Sequence, residues 1–304
     1  MPHHGQRTYT FHIKSTSSAN VTVLAGCEAD STFATRELRA MFARLLSLFS
    51  FTAPWPLSRT SPTSASTKAS LRQGMPGDID DILHVVLSAM PLDPQWDWRF
   101  PYRHELPEDN REYTRMLFEY FLSPEWDDWI VFVVEVPSSQ DSPTTLKKIV
   151  SFAVWDISYI NLAKKGPDYE PQNPMREVAR RGGSTRRDGN PARMDAFRDA
   201  AVETMDTYFN ALYGMKQIHL QILGTHPDYH RQGHARTLCE WGMQKAREDD
   251  VALTLIASPM GKLLYTELGF RLAGSGVIEV PGDPETNSWD AMDWDPRRPD
   301  QVGS

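Results

Sequence analysis

The sequence predicts a single α/β domain. Short apolar and β-branched runs alternate along the chain with longer segments of helical periodicity, which favours helices packed on a sheet. The chain has 304 residues, 40% hydrophobic and 24% charged, as in an ordinary globular protein. No run of 18 apolar residues is present, so no membrane span is expected.

The first elements follow a change of composition near residue 69. Leu71 and Gln73 lie in a short strand-like piece, and Asp78 is suited to cap a helix whose apolar residues recur at helical spacing. A second helix is predicted over 107–124. The β-rich runs 128–136 and 148–158, joined by a polar stretch, predict a hairpin.

The second half alternates helices and strands after an insertion. Residues 160–192 are rich in Pro, Gly and charge without periodicity, which predicts an irregular insertion. The elements predicted after it are helix 194–214, strand 217–226, helix 233–249, strand 251–259, helix 260–270, and strands near 270–280 and 288–294. The domain is therefore expected to span 69–295, with a tail at 296–304.

Residues 1–68 are a poor match to a packed domain. The stretch "LSRTSPTSASTKAS" offers little apolar surface to offset the entropy of ordering it, which predicts a disordered or dispensable extension. An arginine-containing amphipathic pattern at 31–51 resembles a mitochondrial targeting segment, although it does not begin at the N-terminus. Two cysteines, Cys27 and Cys239, do not make a disulfide framework or a zinc pattern. A cytoplasmic location is therefore expected, with a mitochondrial one as the alternative.

The charge restricts the kinds of partner. The net charge of −8 argues against nucleic-acid binding, and the acidic excess lies after residue 70. An acidic domain favours a cationic partner such as an amine, but ordinary surface solubility explains the same excess.

The junction between strand 217–226 and helix 233–249 predicts an anion site. The first turn of a helix has N–H groups without intrahelical partners, and the helix dipole adds positive potential there. Gly233 and the small Ala235 would let an anion approach the backbone, while Arg231 and Arg236 add charge. A simple tight turn explains the same pattern. The GxGxxG and GxxxxGK[ST] motifs of dinucleotide and P-loop sites are absent.

The residues around this junction resemble a known family. "HPDYHRQGHA" followed by a helix, and then "IASPMGKLLYTELGF", resembles the GCN5-related N-acetyltransferase (GNAT) superfamily, especially its fungal-type members. The family signature is Gln or Arg, two residues, Gly, one residue, then Gly or Ala. His230 departs from its first position, whereas Gly233 and Ala235 match. The second signature, a Tyr with Gly-Phe after three residues, is present at Tyr265 and Phe270.

The resemblance covers about residues 69–295 and implies both fold and cosubstrate. It implies an acyl-CoA N-acyltransferase fold with a central, splayed, mixed sheet flanked by helices. It also implies that acetyl-CoA is the cosubstrate and that main-chain groups of Leu223 and Thr225 pair with its pantetheine arm. The pyrophosphate would be held by the amides of Arg231, Gln232, Gly233, His234, Ala235 and Arg236.

The resemblance also suggests catalytic residues. Tyr265 is expected to protonate the CoA thiolate as it leaves, although a structural tyrosine is the alternative. His219 is a candidate base because imidazole titrates near neutral pH, with a structural histidine as the alternative. The two-residue period of a strand predicts that residues 219, 221, 223 and 225 share one face. Glu135 and Asp156 are further candidates for the base.

The acceptor pocket is expected in the aromatic segment 91–109. Trp96, Trp98, Phe100 and Tyr102 alternate there and could form an apolar wall, or simply pack in the core. Carboxylates that could meet a cation in this segment are Asp97, Glu105 and Asp109.

The predicted function is therefore acetyl transfer from acetyl-CoA to a primary amine, by direct attack in a ternary complex. A small-molecule amine is the expected acceptor, with no nucleic-acid or membrane partner and a possible homodimer. Two alternatives stay open. One is acetylation of a protein lysine or N-terminus, and the other is a non-catalytic acyl-CoA-binding protein.

Overall fold

A computed structural model describes residues 69–138 and 147–298. The predictions made for residues 1–68 and for the end of the tail lie outside these residues. Among the described residues, no helix is both long enough and apolar enough to cross a membrane.

Seven strands form one sheet in the order β1-β2-β3-β4-β5-β7-β6. All neighbouring strands are antiparallel except β4 and β5, which are parallel. This mixed sheet with helices on both faces confirms the predicted fold class. The strands are β1 Ser70–Gln73, β2 Trp129–Pro137, β3 Lys147–Asp156, β4 Gln217–Thr225, β5 Ala252–Ala257, β6 Arg271–Ile278 and β7 Asn287–Trp294.

Eight helices accompany the sheet in the described residues. They are α1 Ile79–Ala89, α2 Pro94–Arg99, α3 Pro107–Leu122, α4 Ser158–Lys165, α5 Pro174–Arg180, α6 Pro191–Thr204, α7 His234–Asp249 and α8 Lys262–Glu267. Helix α6 continues through a π-helical stretch, Met205–Asn210, and a last turn, Ala211–Tyr213. Sequence periodicity therefore predicted the long helices. It did not predict the short helix α2, which lies in the aromatic segment 91–109 that was expected to form a pocket wall.

The two faces of the sheet bury separate apolar clusters. Helix α7 covers one face, where Trp155 is fully buried in a cluster that includes Ile218 and Leu238. A Cβ at Gly242 of α7 would lie 2.2 Å from the Trp155 ring, so the helix approaches the sheet closely only because this residue is glycine. Helices α1 and α3 cover the other face, where Phe118 and Phe152 meet edge to face.

Strands β4 and β5 separate halfway along β4. Their pairing runs from Gln217–Ala252 to Leu220–Leu255, whereas β4 continues to Thr225. On the β5 side, the last residues of β4 have no strand partner among the described residues. This gap is the splay that the resemblance predicted.

A β-bulge interrupts β4 just before the splay. Trp155 of β3 pairs with Leu220, and the preceding Val154 pairs with Ile222, so Gln221 is the extra residue. The prediction that residues 219, 221, 223 and 225 share one face is therefore wrong. An inserted residue shifts the two-residue alternation by one position, and no sequence period indicates it.

The segment predicted to be an irregular insertion contains two short helices, α4 and α5. Local caps and tertiary contacts, and not periodicity, order it. Asn173 accepts hydrogen bonds from the first N–H groups of α5. The fully buried Asp128 carboxylate accepts from the Asn161 side chain, the Tyr169 hydroxyl and the Gln172 N–H, each at 2.7 Å.

Candidate active site

A backbone cradle forms between β4 and α7. Gly233 is the N-cap residue of α7, with a φ of 87°, and the nearby Arg231 has a φ of 61°. A side chain at Gly233 would meet no atom within 4 Å, so the space in front of this residue is open. Gly233 therefore satisfies a left-handed backbone conformation and leaves the helix mouth uncovered.

Six consecutive N–H groups at this junction have no acceptor among the described residues. The first N–H to find a partner in α7 belongs to Thr237, which donates to Gly233 O at 3.0 Å. The six groups are those of residues 231–236. Free N–H donors at the positive end of a helix dipole are the arrangement that binds phosphate in other proteins, so these residues are the candidate anion site.

The side chains of the cradle differ in exposure and in their partners. Arg231 is exposed and forms no ion pair within the described part of the chain, whereas Arg236 lies 3.4 Å from Glu267. The His234 ring is buried and its Nε2 is enclosed without a partner, so this residue offers only its N–H to the opening. Burial also lowers the pKa of His234, which favours the neutral ring.

His230 closes the end of β4 instead of facing an anion. Its Nε2 donates to the Thr225 carbonyl at 2.8 Å. The pairing of Leu223 and Thr225 main-chain groups with a pantetheine arm stays a prediction, and at Thr225 the N–H is the group without a partner among the described residues. The departure from the family signature at residue 230 thus has a structural consequence that the sequence did not indicate.

The unpaired edge of β4 still presents main-chain groups. His226 N–H donates to Val150 O, which makes that pair a hydrogen-bonded one. Hydrogen-bonded and non-hydrogen-bonded pairs alternate along antiparallel strands, so Leu223 and Thr225 direct their own groups away from β3. The Leu223 N–H and C=O and the Thr225 N–H consequently face the splay.

Tyr265 lies in α8 with its ring packed 5.6 Å from Phe270. The residue is buried, and its hydroxyl has no hydrogen-bond partner among the described residues although it is not one of the fully enclosed atoms. Burial raises its pKa well above the ordinary value, and the Cys239 and Asp93 side chains raise it further. The phenol is therefore protonated at neutral pH and has a hydrogen to donate.

His219 is buried beside the start of the splay, and its tautomer is defined by neighbouring strands. Its Nδ1 lies 2.9 Å from the Thr254 hydroxyl. That hydroxyl donates to the Gln217 side-chain oxygen at 2.7 Å, so it accepts from His219 and Nδ1 carries the proton. The unprotonated Nε2 has no partner within the described residues. Burial lowers the pKa of His219 to about 4, so its lone pair is available at neutral pH.

The other base candidates differ in availability. Glu135 is held by Arg72 at 2.6 Å and by Lys147 at 3.3 Å, on strand β2, two strands from β4. Asp156 is the cross-strand neighbour of His219, and burial raises the pKa of this carboxyl group. Glu135 is thus a structural ion-pair partner, whereas Asp156 lies on the same side of the sheet as His219.

The aromatic segment divides between core and surface. Trp98 and Phe100 are buried, whereas Tyr102 is 45% exposed. Two of the predicted carboxylates are occupied, because Asp97 pairs with Arg103 and Asp109 pairs with Arg187. Asp93 was not among the predicted site residues, although its carboxylate contributes to the raised pKa of Tyr265. Its position before Pro94 is a typical helix N-cap, which could have indicated a fixed carboxylate.

Comparison with known proteins finds a related domain in part of the chain. Residues 208–280 match the family model for the acetyltransferase (GNAT) domain, a range that contains the cradle, His219 and Tyr265. A 60-residue region is 32% identical to an "Acetyltransferase" of Stachybotrys chartarum (strain CBS 109288 / IBT 7711). That region is 20% of this chain and spans only 26% of the length of the fungal protein.

Solved structures of similar fold include two N-acetyltransferases. The Drosophila melanogaster polyamine N acetyltransferase has 15% identity and a TM-score of 0.45, with 75% of this chain and 100% of that chain covered. The Escherichia coli ribosomal-protein-S18-alanine N-acetyltransferase has 14% identity and a TM-score of 0.40, with 75% and 94% covered.

The matched region and the fungal relative both support an acyltransferase enzyme. More narrowly, residues 208–280 are similar to the acetyltransferase (GNAT) domain, as the two sequence signatures indicated.

Proposed function

We propose that the protein transfers an acetyl group from acetyl-CoA to a primary amine of a small molecule, by direct attack in a ternary complex. The observation that carries this proposal is the row of six unpaired N–H groups at residues 231–236, beside an unpaired edge of β4. A diphosphate and an extended amide arm are the chemical groups that such a pair of surfaces can hold together.

The cradle and the splay orient the cosubstrate. The amides of residues 231–236 bind the pyrophosphate, with Arg231 adding positive charge. The free main-chain groups of Leu223 and Thr225 pair with the pantetheine arm as a neighbouring strand would. The thioester is then directed toward the point where β4 and β5 separate, close to Leu220 and Leu255.

Two side chains move protons in this proposal. The amine nitrogen attacks the thioester carbonyl carbon, a C–N bond forms, and the C–S bond breaks. Tyr265 gives its phenolic proton to the departing thiolate. The proton lost by the amine passes to His219 Nε2, directly or through water. Burial lowers the pKa of His219 to about 4, so this nitrogen is unprotonated at neutral pH when the amine attacks.

Contacts that join α2 to the segment 283–288 favour a small acceptor over a polypeptide. The Gln95 side chain donates to Ser288 O at 2.6 Å, and the Arg193 side chain donates to both Trp98 O and the Asp283 carboxylate. These contacts restrict the room for an extended peptide between the two segments. The cytoplasmic location and the possible homodimer stay predictions.

The test is a panel of amines assayed for release of free CoA from acetyl-CoA. The panel includes small alkyl and aryl amines, lysine-containing peptides and peptides with free N-termini. Turnover of small amines is expected, with peptides at least tenfold slower. Tight binding of acetyl-CoA without turnover on any amine would instead favour the non-catalytic alternative, and faster turnover of peptides would favour the protein acetyltransferase.

A further inference from the structure

Arg99, the last residue of α2, has a positive charge without an ion-pair partner among the described residues. Its Nε donates to the Gln95 carbonyl at 3.1 Å, whereas its two terminal nitrogens have no hydrogen-bond partner within the described part of the chain. Neither terminal nitrogen is a fully enclosed atom, so both stay accessible. A cation that loses water without gaining a carboxylate costs free energy, which makes it a candidate ligand-binding group.

Three aromatic rings hold the Arg99 guanidinium. Its central carbon lies 4.0 Å from the centre of the Phe197 ring, 5.2 Å from that of Phe100 and 5.6 Å from that of Trp96. Burial lowers the pKa of Arg99 to about 10, although the Asp93 carboxylate raises it, so the group is charged at neutral pH. The rings fix the position of this charge by cation–π contact but do not neutralise it.

The segment before Arg99 crosses the splay between β4 and β5. At one end Met90 packs on the free part of β4, because a Cβ at Gly224 would lie 2.8 Å from the Met90 methyl carbon. At the other end the Gln95 side chain donates to Ser288 O of β7 at 2.6 Å. Since β5 lies between β4 and β7 in the sheet, the chain from Met90 to Gln95 runs over the gap.

The Arg99 side chain points back along α2 toward this crossing. Helical side chains lean toward the helix N-terminus, and the bond from Nε to the Gln95 carbonyl has that direction. The free terminal nitrogens therefore lie within about one helical turn, about 5 Å, of the residue that is joined to β7.

The neighbouring arginines are already neutralised. Arg186, which lies 4.1 Å from the centre of the Phe100 ring, is 2.7 Å from the buried Asp188 carboxylate. Arg193 is 2.6 Å from Asp283. A single unpaired guanidinium matches the single charge of a carboxylate, whose two oxygens can accept from the two terminal nitrogens in parallel.

We propose that Arg99 binds a carboxylate of the acceptor, and that the protein acetylates small amines that also carry a carboxylate, such as amino acids. The inference rests on the proposed function, because the amine is taken to be the acetyl acceptor. The carboxylate pairs with Arg99 and is unchanged in the reaction, while the amino group of the same molecule lies at the splay and forms the new amide. The three rings exclude water from the ion pair and thereby strengthen it.

The experiment compares leucine, phenylalanine and β-alanine with their own amides, which keep the size and the amino group of each acceptor but lose the negative charge. Initial rates of CoA release at saturating acetyl-CoA give kcat/KM, and calorimetric titration in the presence of CoA gives binding without turnover. At least one acid is expected to exceed its amide tenfold or more in both measurements.

Arg99→Met keeps an apolar stem against the rings and removes the charge. It should raise KM for the acid at least tenfold, and leave the amide kcat/KM and the acetyl-CoA affinity within about twofold. Arg99→Lys keeps the charge but not the paired donors, so part of the preference should remain. The matched control is Arg103→Met, an arginine of the same segment that is paired with Asp97 at 2.5 Å, and it should leave the preference unchanged. Thermal melting checks that each variant is folded.

Equal rates and affinities for every acid and its amide would overturn the inference with the wild-type protein alone. A preference that survives Arg99→Met would also overturn it. So would a loss of acetyl-CoA affinity in that variant, because the arginine would then serve the cosubstrate. Acetylation of amines without any preference for acids contradicts the inference and leaves the proposed function intact. Binding of an acid that depends on Arg99, without acetylation, contradicts the proposed function and leaves the carboxylate site intact.

Discussion

Gly233 is the residue on which the proposed anion site depends. It combines a left-handed backbone conformation with an open space where a side chain would project. The ligand groups are main-chain N–H donors, so access to them is controlled by the size and charge of this one side chain.

Gly233→Glu is expected to weaken acetyl-CoA binding by at least a hundredfold, because it brings a negative side chain to a site for phosphates. Isothermal titration calorimetry measures the affinity. Gly166→Glu is the matched control, since Gly166 has a φ of 95° and likewise no atom within 4 Å of an added Cβ. This control reproduces the backbone strain and the new charge at the end of α4. Unchanged affinity in Gly233→Glu would remove the basis of the proposed function.

Tyr265 is proposed as the acid that protonates the thiolate. Tyr265→Phe is therefore expected to lower kcat by ten- to a hundredfold and to leave acetyl-CoA affinity within about twofold. Steady-state kinetics and calorimetry measure the two quantities. Because the hydroxyl has no hydrogen-bond partner among the described residues, its removal should cost little stability. A parallel loss of affinity and rate would indicate a structural hydroxyl.

At the scale of elements, strands β4 and β5 and the π-helical stretch together position His219. Beyond Thr254 and Gln217, the hydrogen-bonded series continues from the Gln217 amide to Asn210 at 2.9 Å. It ends with Asn210 donating to Asp206 at 2.8 Å. The Gln217 amide nitrogen donates to both Asn210 and Gly214 O, so its side-chain oxygen is the acceptor for Thr254, and this direction fixes which nitrogen of His219 carries the proton.

Thr254→Val removes the acceptor of the His219 Nδ1–H while keeping the size of the side chain. A shift toward the other tautomer is expected, with kcat reduced about tenfold and KM for acetyl-CoA little changed. The nitrogen shifts of ¹⁵N-labelled histidine report the tautomer independently of activity. Thr254→Ser should restore both the spectrum and the rate. An unchanged histidine spectrum in the valine variant would mean that other contacts orient the ring.

These elements also mark how far the sequence could predict the site. Short sequence motifs predicted two features of the site: the strand–Gly–helix junction at 217–249 and the position of Tyr265. The bulge at Gln221 and the contact between His219 and Thr254 depend on strand register, which one sequence does not encode as a period. The helices α4 and α5 escaped prediction because segments of seven or eight residues carry too little periodicity.

At the scale of the whole described molecule, contacts at the end of the insertion connect parts of the chain that are distant in sequence. Asp188, fully buried, accepts from the Asn110 side chain of α3, and Arg193 reaches the β6–β7 connection. These two contacts join the end of the insertion and the start of α6 to parts of the chain that are far away in sequence. Composition does not show such contacts, which is why it suggested only an irregular insertion.

The buried His219 also predicts how stability responds to acid. Its pKa of about 4, against an ordinary value near 6.5, means that the unfolded chain takes up a proton more readily. The contribution to stability is complete above pH 6.5 and is lost as the pH falls toward 4. Between pH 7.5 and 5 the loss should be about 2 kcal/mol. Urea unfolding of the wild-type protein and of His219→Gln measures it, and an equal loss in both would contradict the assignment.

The ring of His230 shows what a main-chain ligand set permits. In the proposed site, main-chain N–H groups bind the anion, so the first side chain of the signature need not contact it. The His230 side chain instead holds the end of β4 through the Thr225 carbonyl. The residue type at this first position of the signature can therefore change during evolution without loss of the binding chemistry. Sequence comparisons that score residue identity will then miss relatives whose main-chain geometry is the same.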